Sequence, residues 1–311
     1  MNPASTSPIT FRFSSCGKGS IHCLQWTPEG TPKAIVQIVH GIAEHARRYD
    51  SFARYLNALG ILVVAEDHMG HGGSLEDNEP KGYFHGGWTA AVDDTYRLLR
   101  ITRQKYPNTP YILLGHSMGS FMTRTLLYRY PDSGIRGVIL SGTAWQPSLM
   151  LNAGLALCHA VCGKIGDANV SPRLRGHIFG GYNKRVPNPR TPFDWVCGDD
   201  SVVQAYVDDP LCGFDETCGL DRDLLTGIKM NQKKQNLMKM RKELPVFFVA
   251  GKEDPVGNYG KGVEQCASAF LAAGMKDVSF TLYPNSRHEI LNDVEKERVY
   301  RDIAGWIQRK I

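Results

Sequence analysis

The segment that most constrains the fold of this sequence is Tyr111–Tyr130, YILLGHSMGSFMTRTLLYRY. A short apolar run leads into Gly115-His-Ser-Met-Gly119, and helix-like sequence follows until Pro131. This is the G-x-S-x-G pattern in a strand–turn–helix setting, where a serine at a sharp turn projects from the end of a sheet. Because the chain has 32 glycines, the bare pattern is weak evidence. Its context decides whether Ser117 is a nucleophile placed at a helix N-terminus, where backbone amides favour negative charge.

Apolar strands alternate with helices along most of the chain, which is the pattern of a mostly parallel sheet covered on both faces. We predict an α/β fold with eight strands, and Ser117 follows the fifth of them. The predicted strands are Phe11–Phe13, Ile21–Trp26, Ala34–Val39, Ile61–Ala65, Tyr111–Leu114, Gly137–Leu140, Pro245–Ala250 and Val278–Tyr283. Besides the helix after Ser117, helices are predicted at Tyr49–Leu59, Trp88–Tyr106, Gly262–Ala273 and Val294–Gln308.

Residues 145–241 interrupt this alternation, because they contain no strong strand and are rich in helix-forming residues. We interpret them as a helical cap inserted into a core domain formed by residues 1–144 and 242–311. The most apolar part of the cap, Leu149–Cys162, is apolar nearly all round a helix and shorter than a membrane span. Two interpretations stay open: a buried helix packed over the sheet, or the lining of an acyl tunnel above Ser117 with one face against lipid.

Composition and charge indicate which partners and which compartment to expect. A formal net charge of +5 in 311 residues, without a basic run, does not indicate nucleic-acid binding. The first fifteen residues lack the charged and apolar regions of a secretory signal. The eight cysteines form no C-x-x-C pair, so we expect free thiols in a reducing cytoplasm. Nothing in the sequence predicts the oligomeric state.

A nucleophilic serine needs a base to take its proton, and the base needs an acid that fixes its tautomer. After a G-x-S-x-G turn, the acid and the histidine should follow in that order at the carboxyl ends of later strands. Asp254 follows the seventh predicted strand, and His288 follows the eighth. We therefore predict a catalytic triad of Ser117, Asp254 and His288, with Glu253 as the alternative acid.

The same chemistry needs two backbone amides directed at the oxygen that becomes negative in the transition state. The residue after the nucleophile, Met118, should supply one of them. The other should come from the turn that follows the third strand, His40–His45, where Gly41 allows the backbone to turn. We predict the amides of Ile42 and Met118 as the two donors of the oxyanion hole.

Two groups of side chains near strand ends and two cysteine pairs could suggest a metal site; they are His40/Glu44/His45, Asp67/His68/His71, Cys158/Cys162 and Cys212/Cys218. The first group misses the inverzincin spacing by one residue and lies on a glycine-containing turn. The second lies in a glycine-rich loop, where a hydrogen-bonded turn is expected. The cysteine pairs have no neighbouring group of histidines. We predict neither a metal nor a cofactor.

Several motifs together resemble the monoacylglycerol lipase and lysophospholipase branch of the α/β-hydrolase superfamily, which is also described as serine aminopeptidase-like. They are His40-Gly-Ile-Ala-Glu-His-Ala-Arg-Arg-Tyr49, Asp67-His-Met-Gly-His-Gly-Gly-Ser74, Gly115-His-Ser-Met-Gly119, Asp208-Asp-Pro-Leu211 and the loops of Asp254 and His288. The similarity covers nearly the whole chain, and the cap resembles bacterial members more than animal ones. The resemblance implies a serine hydrolase that cleaves small-molecule or lipid acyl esters through an acyl-enzyme.

The resemblance also implies substrate-binding residues. In monoacylglycerol lipases, the positions that match Glu44 and Arg48 help to bind the glycerol head group, together with a histidine three residues after the catalytic one. This sequence has Leu291 at that third position, which departs from the family pattern and bears on monoglyceride preference. A peripheral membrane contact through the cap is consistent with a lipid substrate.

Two other functions share parts of this pattern. An amidase or aminopeptidase would use the same triad, because the triad does not distinguish ester from amide. A non-catalytic binding protein with a hydrolase fold usually lacks one member of the triad, whereas all three positions are filled here. Dehalogenases and epoxide hydrolases use an aspartate nucleophile, which Ser117 argues against.

Overall fold

The sheet has eight strands, as predicted. The computed structural model describes residues 7–311. The predicted absence of a secretory signal was based on the first fifteen residues, and the first six of these lie outside the described part. The strands are Ile9–Ser14 (β1), Ser20–Trp26 (β2), Ala34–Val39 (β3), Ile61–Glu66 (β4), Tyr111–His116 (β5), Gly137–Ser141 (β6), Val246–Gly251 (β7) and Val278–Tyr283 (β8). Their spatial order is β1-β2-β4-β3-β5-β6-β7-β8.

The sheet is mostly parallel. β2 pairs antiparallel with β1 and with β4, whereas the pairs from β4 through β3 to β8 are parallel. The carboxyl ends of β3, β5, β6, β7 and β8 therefore meet at one edge of the sheet, where an open α/β sheet binds its ligands. β5 lies at the centre, so the turn that contains Ser117 opens at the middle of this edge.

The core helices agree with the predicted ones to within one or two residues at each end. They are Asp50–Ala58 (α1), Gly87–Lys105 (α2) and Met118–Arg129 (α3), and, after the cap, Lys261–Ala272 (α9) and Lys296–Lys310 (α10). Between them, the cap segment contains Ser148–Ile165 (α4), Pro172–Phe179 (α5), Asp200–Asp208 (α6), Cys218–Asn231 (α7) and Lys234–Lys239 (α8). The described residues thus form a mostly parallel sheet flanked by helices, with a mainly helical segment between β6 and β7.

Two apolar layers cover the faces of the sheet, because successive side chains of a strand point to opposite sides. On β5, Tyr111 and Leu113 belong to one buried cluster, and Ile112 and Leu114 belong to the other. All six residues of β5 are buried. Such two-sided burial explains why the central strands are continuous apolar runs in the sequence.

The cap is tied to the core through α7. Asn231 at its end accepts a hydrogen bond from Thr125 Oγ1 (2.8 Å) and donates one to the carbonyl of Phe121 (2.8 Å), both on α3. Leu237 and Met240, which follow α7, are buried in the main core. The boundary of the cap at residue 241 stays a prediction, since the packing is continuous across this region.

The apolar segment Leu149–Cys162 lies in α4, and its environment differs from both interpretations offered above. Only Leu151, Leu155, Cys158 and Cys162 of α4 are buried, whereas Leu149 is 82% exposed. The description as a buried helix is therefore wrong for most of its surface. The helix is also longer than expected: with 18 residues and a mean hydropathy of 1.3, α4 is long and apolar enough to cross a membrane by length and composition alone.

Two helical glycines give a matched test of the packing between cap and core. A Cβ atom added to Gly227 on α7 would lie 2.2 Å from the ring of the buried Trp88. We expect Gly227→Ala to lower the free energy of unfolding by about 1–3 kcal/mol, because overpacking outweighs helix propensity. A Cβ atom added to Gly163 on α4 would have no atom within 4 Å, so Gly163→Ala should raise the free energy of unfolding by about 0.5–1 kcal/mol.

Urea unfolding of the two variants checks this prediction, because the midpoint and the slope are measured together. Equal stability changes of the same sign in both variants would contradict the close approach of α7 to Trp88.

Candidate active site

The turn after β5 has the strained geometry of a nucleophile elbow. Ser117 lies between β5 and α3 with φ 51° and ψ −121°, a backbone conformation that a non-glycine residue rarely adopts. Its amide donates to the carbonyl of Ser141 at 2.9 Å, which ties the elbow to β6. A Cβ atom at Gly119 would lie 2.0 Å from the carbonyl oxygen of Val39, and one at Gly115 would lie 2.5 Å from that of Gly119. Both glycines are therefore required by close packing.

The predicted acid and base are hydrogen-bonded to each other. His288 Nδ1 lies 2.9 Å from Asp254 Oδ2, and both side chains are buried. Asp254 Oδ1 accepts the amide of Val256 at 2.8 Å, which fixes the carboxylate. The alternative acid, Glu253, is more than half exposed and faces Arg287 at 3.8 Å. The geometry thus selects Asp254 as the partner of His288.

The charge state of His288 is set by opposing effects. Burial disfavours the charged ring, but the Asp254 carboxylate acts against burial through its charge and its hydrogen bond. Glu289 and Glu44 add in the same direction, so the pKa of His288 is raised above its ordinary value. A strongly paired imidazole of this kind is suited to hold a proton taken from a hydroxyl.

Ser117 and His288 line the same cavity, but they are not hydrogen-bonded. Within residues 7–311, the hydrogen bonds of His288 include the one to Asp254 and none to the Ser117 hydroxyl. Such contacts are often long without substrate and tighten when substrate is bound. The structure therefore brings together all three predicted triad residues, with the acid–base pair already formed.

His116, which the sequence analysis did not single out, packs beside the base. Its ring centroid lies 4.7 Å from that of His288, and its Nδ1 lies 3.2 Å from Ser141 Oγ. Burial lowers the pKa of His116 well below its ordinary value, and the proximity of His288 lowers it further. A neutral ring at this place packs against His288 without competing for its proton. Its position inside the G-x-S-x-G motif was the available signal.

The turn His40–His45 is organised by the Glu44 side chain. Glu44 Oε1 accepts the amide of Gly41 at 2.6 Å and the hydroxyl of Tyr49 at 2.9 Å. The amide of Gly41 is thus already used, and the amide of Ile42 comes next along the turn. No backbone hydrogen bond from Ile42 or Met118 is formed within residues 7–311. Both amides are available, as donors of an oxyanion hole must be.

Three buried histidines, His40, His68 and His71, lie together at this turn. His40 Nδ1 lies 2.7 Å from the Gly41 carbonyl, and its Nε2 accepts the amide of His68 at 3.0 Å. His68 Nε2 in turn lies 3.1 Å from the carbonyl of His40. Burial lowers the pKa of His68 to about 3 and that of His71 to about 4, so the rings are neutral. His40 and His68, considered above as possible metal ligands, thus hold the turn through hydrogen bonds, whereas His71 Nδ1 lies 2.9 Å from the carbonyl of Met69.

One further cluster joins core and cap. His45, Asp209 and Cys212 place one potential ligand atom each within 4.8 Å of one another and could hold a metal ion. His45 Nε2 already lies 2.9 Å from Asp209 Oδ2, which makes the cluster a hydrogen-bonded link between the two parts of the chain. Sequence reasoning missed it because His45 and Asp209 are 164 residues apart.

The cap segment Asp194–Gly213 contacts both functional loops. The carbonyl of Ala43 accepts the amide of Gly213 at 2.9 Å and the hydroxyl of Tyr206 at 3.0 Å. On the other side, the amide of Glu289 donates to the carbonyl of Val196 at 2.8 Å. The cap thus holds the turn that offers the Ile42 amide and the loop that bears His288.

Glu44 and Arg48, the two residues that the resemblance assigns to substrate binding, lie in different positions relative to the cavity. Glu44 lines the cavity together with Glu289, whereas Arg48 lies behind them. Arg48 Nη2 donates to Glu289 Oε2 at 2.6 Å, its Nη1 bonds the other oxygen of Glu289, and Nη1 also lies 3.1 Å from Glu44 Oε2. Leu291 is buried in the core, so it does not replace the family's histidine at the cavity.

The cavity above Ser117 has a volume of about 490 Å³ and is formed by the core loops and the cap. Apolar lining is contributed by Ile42, Pro172, Phe179, Pro192, Phe193, Trp195 and Val196. No residue of α4 lines this cavity, so the prediction that Leu149–Cys162 forms an acyl tunnel above Ser117 is wrong. Residues of α5 and of the segment 192–213 line the cavity instead, and α4 packs on α7.

Comparison with known proteins gives consistent matches. The Hydrolase_4 family model, described as serine aminopeptidase S33, matches residues 30–295. A monoacylglycerol lipase of Mycolicibacterium smegmatis is 30% identical over 94% of this chain and 95% of that protein. A monoglyceride lipase homolog of monkeypox virus is 39% identical over 94% and 95%. The crystal structure of a thermostable carboxyl esterase from Bacillus coagulans in complex with glycerol has a TM-score of 0.89 and 29% identity, covering 98% and 99%.

The raised pKa of His288 gives a direct test of its pairing with Asp254. In wild-type protein, we expect the imidazole to titrate above its ordinary value of about 6.5. Asp254→Asn should lower the midpoint, because it removes the carboxylate that favours the charged ring. NMR titration of the histidine ring signals, with His288→Gln for assignment, measures both values. A midpoint that Asp254→Asn leaves unchanged would contradict the pairing.

Proposed function

Since the chain belongs to the serine aminopeptidase S33 family of α/β-hydrolases and is an ester-cleaving serine hydrolase, we propose that Ser117, Asp254 and His288 carry out this reaction. The observation that carries the proposal is the buried His288–Asp254 hydrogen bond, together with the place of His288 in the same cavity lining as the elbow serine. These three side chains come from the ends of three strands, β5, β7 and β8. Their roles are nucleophile, acid and base in the order that the fold requires.

In the proposed mechanism, His288 takes the proton of Ser117 as its oxygen attacks the carbonyl carbon of the ester. The Asp254 carboxylate stabilises the imidazolium that forms. The carbonyl oxygen becomes negative and is bound by the amides of Ile42 and Met118 at the start of α3. His288 then donates its proton to the leaving alcohol, and a water molecule releases the acyl group from Ser117 by the same steps in reverse.

The substrate is a small-molecule lipid ester, and we propose a monoacylglycerol or a similar single-chain ester. The wall formed by Phe179, Phe193 and Trp195 gives an acyl chain an apolar surface above Ser117. Each methylene buried there contributes about 0.8 kcal/mol to binding. Amide or aminoacyl hydrolysis is the second candidate, and it rests on the description of the matching family.

The triad proposal is tested with p-nitrophenyl esters of increasing chain length, next to monoacylglycerol, lysophospholipid and aminoacyl amides. Ser117→Ala and His288→Ala should each lower kcat by roughly a thousandfold or more, the scale of triad deletions elsewhere. Asp254→Ala should be less severe, because His288 can still act as a base. The exposed Ser279→Ala on β8 is the matched control and should hydrolyse esters like wild type.

Unchanged turnover in Ser117→Ala, with the Tm of wild type, would overturn the assignment. Hydrolysis of aminoacyl amides in preference to all esters would instead favour the second candidate, with the same residues.

We further propose that the enzyme works in the cytoplasm and contacts membranes through α4. The eight cysteines are free thiols, which is usual in a reducing compartment. Leu149 and Met150 at the start of α4 are strongly exposed, and an exposed apolar helix binds readily at a lipid interface. Leu149→Asp with Met150→Asp should reduce co-sedimentation with phosphatidylcholine vesicles and leave hydrolysis of a soluble acetyl ester intact. Equal sedimentation of variant and wild type would contradict the contact.

A further inference from the structure

Four carboxylates line the cavity, beside the imidazoles of His116 and His288 and the phenol of Tyr206. Glu44, Asp215, Glu216 and Glu289 face it, whereas Arg175 is the one arginine or lysine in its lining within residues 7–311. The four acidic residues lie in two pairs, and each pair shares a single guanidinium. We call Glu44 and Glu289 the base-side pair and Asp215 and Glu216 the cap-side pair.

The base-side pair shares Arg48. Both oxygens of Glu289 bond its guanidinium, and Glu44 Oε2 lies 3.1 Å from it. Glu44 also accepts the Gly41 amide and the Tyr49 hydroxyl. Burial raises the pKa of Glu44, and the charge of Arg48 and the hydrogen bond from the Gly41 amide oppose that rise by favouring the ionised form. With both carboxylates ionised, the pair and its one guanidinium carry a net charge of −1 beside His288.

The cap-side pair has the same arrangement around Arg175. Arg175 Nη1 donates to Glu216 Oε2 at 2.6 Å, and Nε lies 3.2 Å from Asp215 Oδ1. Burial raises the pKa of Glu216 and the charge of Arg175 opposes that rise; with both carboxylates ionised, this pair also carries a net charge of −1. In both pairs the guanidinium is committed to carboxylates of the protein, so neither arginine is free to pair with an anion of the substrate.

We propose that this cavity selects esters by the charge of their alcohol part: it accepts cationic or neutral hydroxyl-bearing groups and rejects anionic ones. The inference rests on the proposed ester hydrolysis at Ser117 and names the class of substrate for that site. Carboxylate oxygens accept hydrogen bonds from hydroxyls and attract ammonium groups. A cavity lined by one sign of charge, with low-dielectric walls, repels ligands of the same sign. Glu289, the residue after the base, is thereby a specificity-determining residue.

The charge rule distinguishes among lipid esters. A monoacylglycerol presents neutral hydroxyls, which the carboxylates can accept. A single-chain ester whose head group ends in a phosphate monoester or a sulfonate would bring an anion against two net negative pairs. We therefore expect neutral and cationic single-chain esters as substrates and anionic ones as poor substrates.

The test uses three butyrate esters that share the acyl group and differ in the charge of the alcohol. They are butyrylcholine (cationic), 3,3-dimethylbutyl butyrate (its neutral isostere) and 3-(butyryloxy)propane-1-sulfonate (anionic). For wild type, we expect kcat/KM for the anionic ester to be at least about tenfold below that of the neutral one, and the cationic ester to equal or exceed the neutral one.

Two variants locate the effect. Glu289→Gln keeps the shape of the side chain and removes one negative charge. Because the positive charge of Arg48 is then balanced by one carboxylate fewer, the ratio of kcat/KM for the anionic ester to that for the neutral ester should rise severalfold. Asp215→Asn changes a half-exposed residue of the cap-side pair, which folding tolerates more easily, and should raise the same ratio. Glu243→Gln is the control, because Glu243 is exposed, pairs with Lys276 and does not line the cavity.

Equal kcat/KM for the anionic and neutral esters in wild type would overturn the proposal, as would a ratio that neither Glu289→Gln nor Asp215→Asn changes. Binding of hexyltrimethylammonium and hexane-1-sulfonate, measured by calorimetry, tests charge selection without turnover. Tighter binding of the ammonium by at least about tenfold is expected. If no ester is hydrolysed, the proposed function fails, and the calorimetric comparison still decides whether the cavity selects by charge.

Discussion

The backbone of Ser117 is the constraint on which the rest of the site depends. A φ of 51° at a non-glycine residue is strained, and it persists only where the surroundings determine it. Here Gly115 and Gly119 let β5, α3 and the end of β3 approach within distances that no Cβ would permit. The strain places one hydroxyl and the following amide at the centre of the sheet edge. Every other functional group is arranged around that point.

The second level of organisation is the contact between the cap and the chemistry. The Ala43 carbonyl accepts two hydrogen bonds from the cap, and the amide of Glu289 donates one to the carbonyl of Val196 in the cap. The turn His40–His45 and the loop of His288 are thus both held by the segment 194–213. In this arrangement the cap shapes the cavity and also holds the loops that bear the proposed catalytic groups.

The sequence predicted the parts that depend on local pattern. Continuous apolar runs gave the strands of the sheet, and the residues after those strands gave Ser117, Asp254 and His288. Ser117 and His288 line one cavity, and Asp254 is hydrogen-bonded to His288. Their catalytic roles remain a proposal. Parallel sheets make such prediction possible, because strand ends converge whatever lies between them.

Two features could not be predicted from the sequence: the contacts between distant segments and the exposure of a uniformly apolar helix. Glu289 pairs with Arg48 across 241 positions, and nothing near either residue indicates the other. α4 has apolar residues nearly all round, so its pattern does not tell which side is covered by the protein. The tunnel prediction failed for this reason. Leu291, which departs from the family pattern, lies in the core, and this place is seen only in the fold.

The account depends most directly on Ser117 being the nucleophile that becomes acylated. Incubation with a fluorophosphonate, followed by digestion and mass spectrometry of the peptides, identifies the modified residue. We expect a single adduct on the peptide that contains Ser117, formed rapidly in wild type and absent in Ser117→Ala, with His288→Ala labelled far more slowly. Labelling of a different serine, or equal labelling of wild type and Ser117→Ala, would contradict the account.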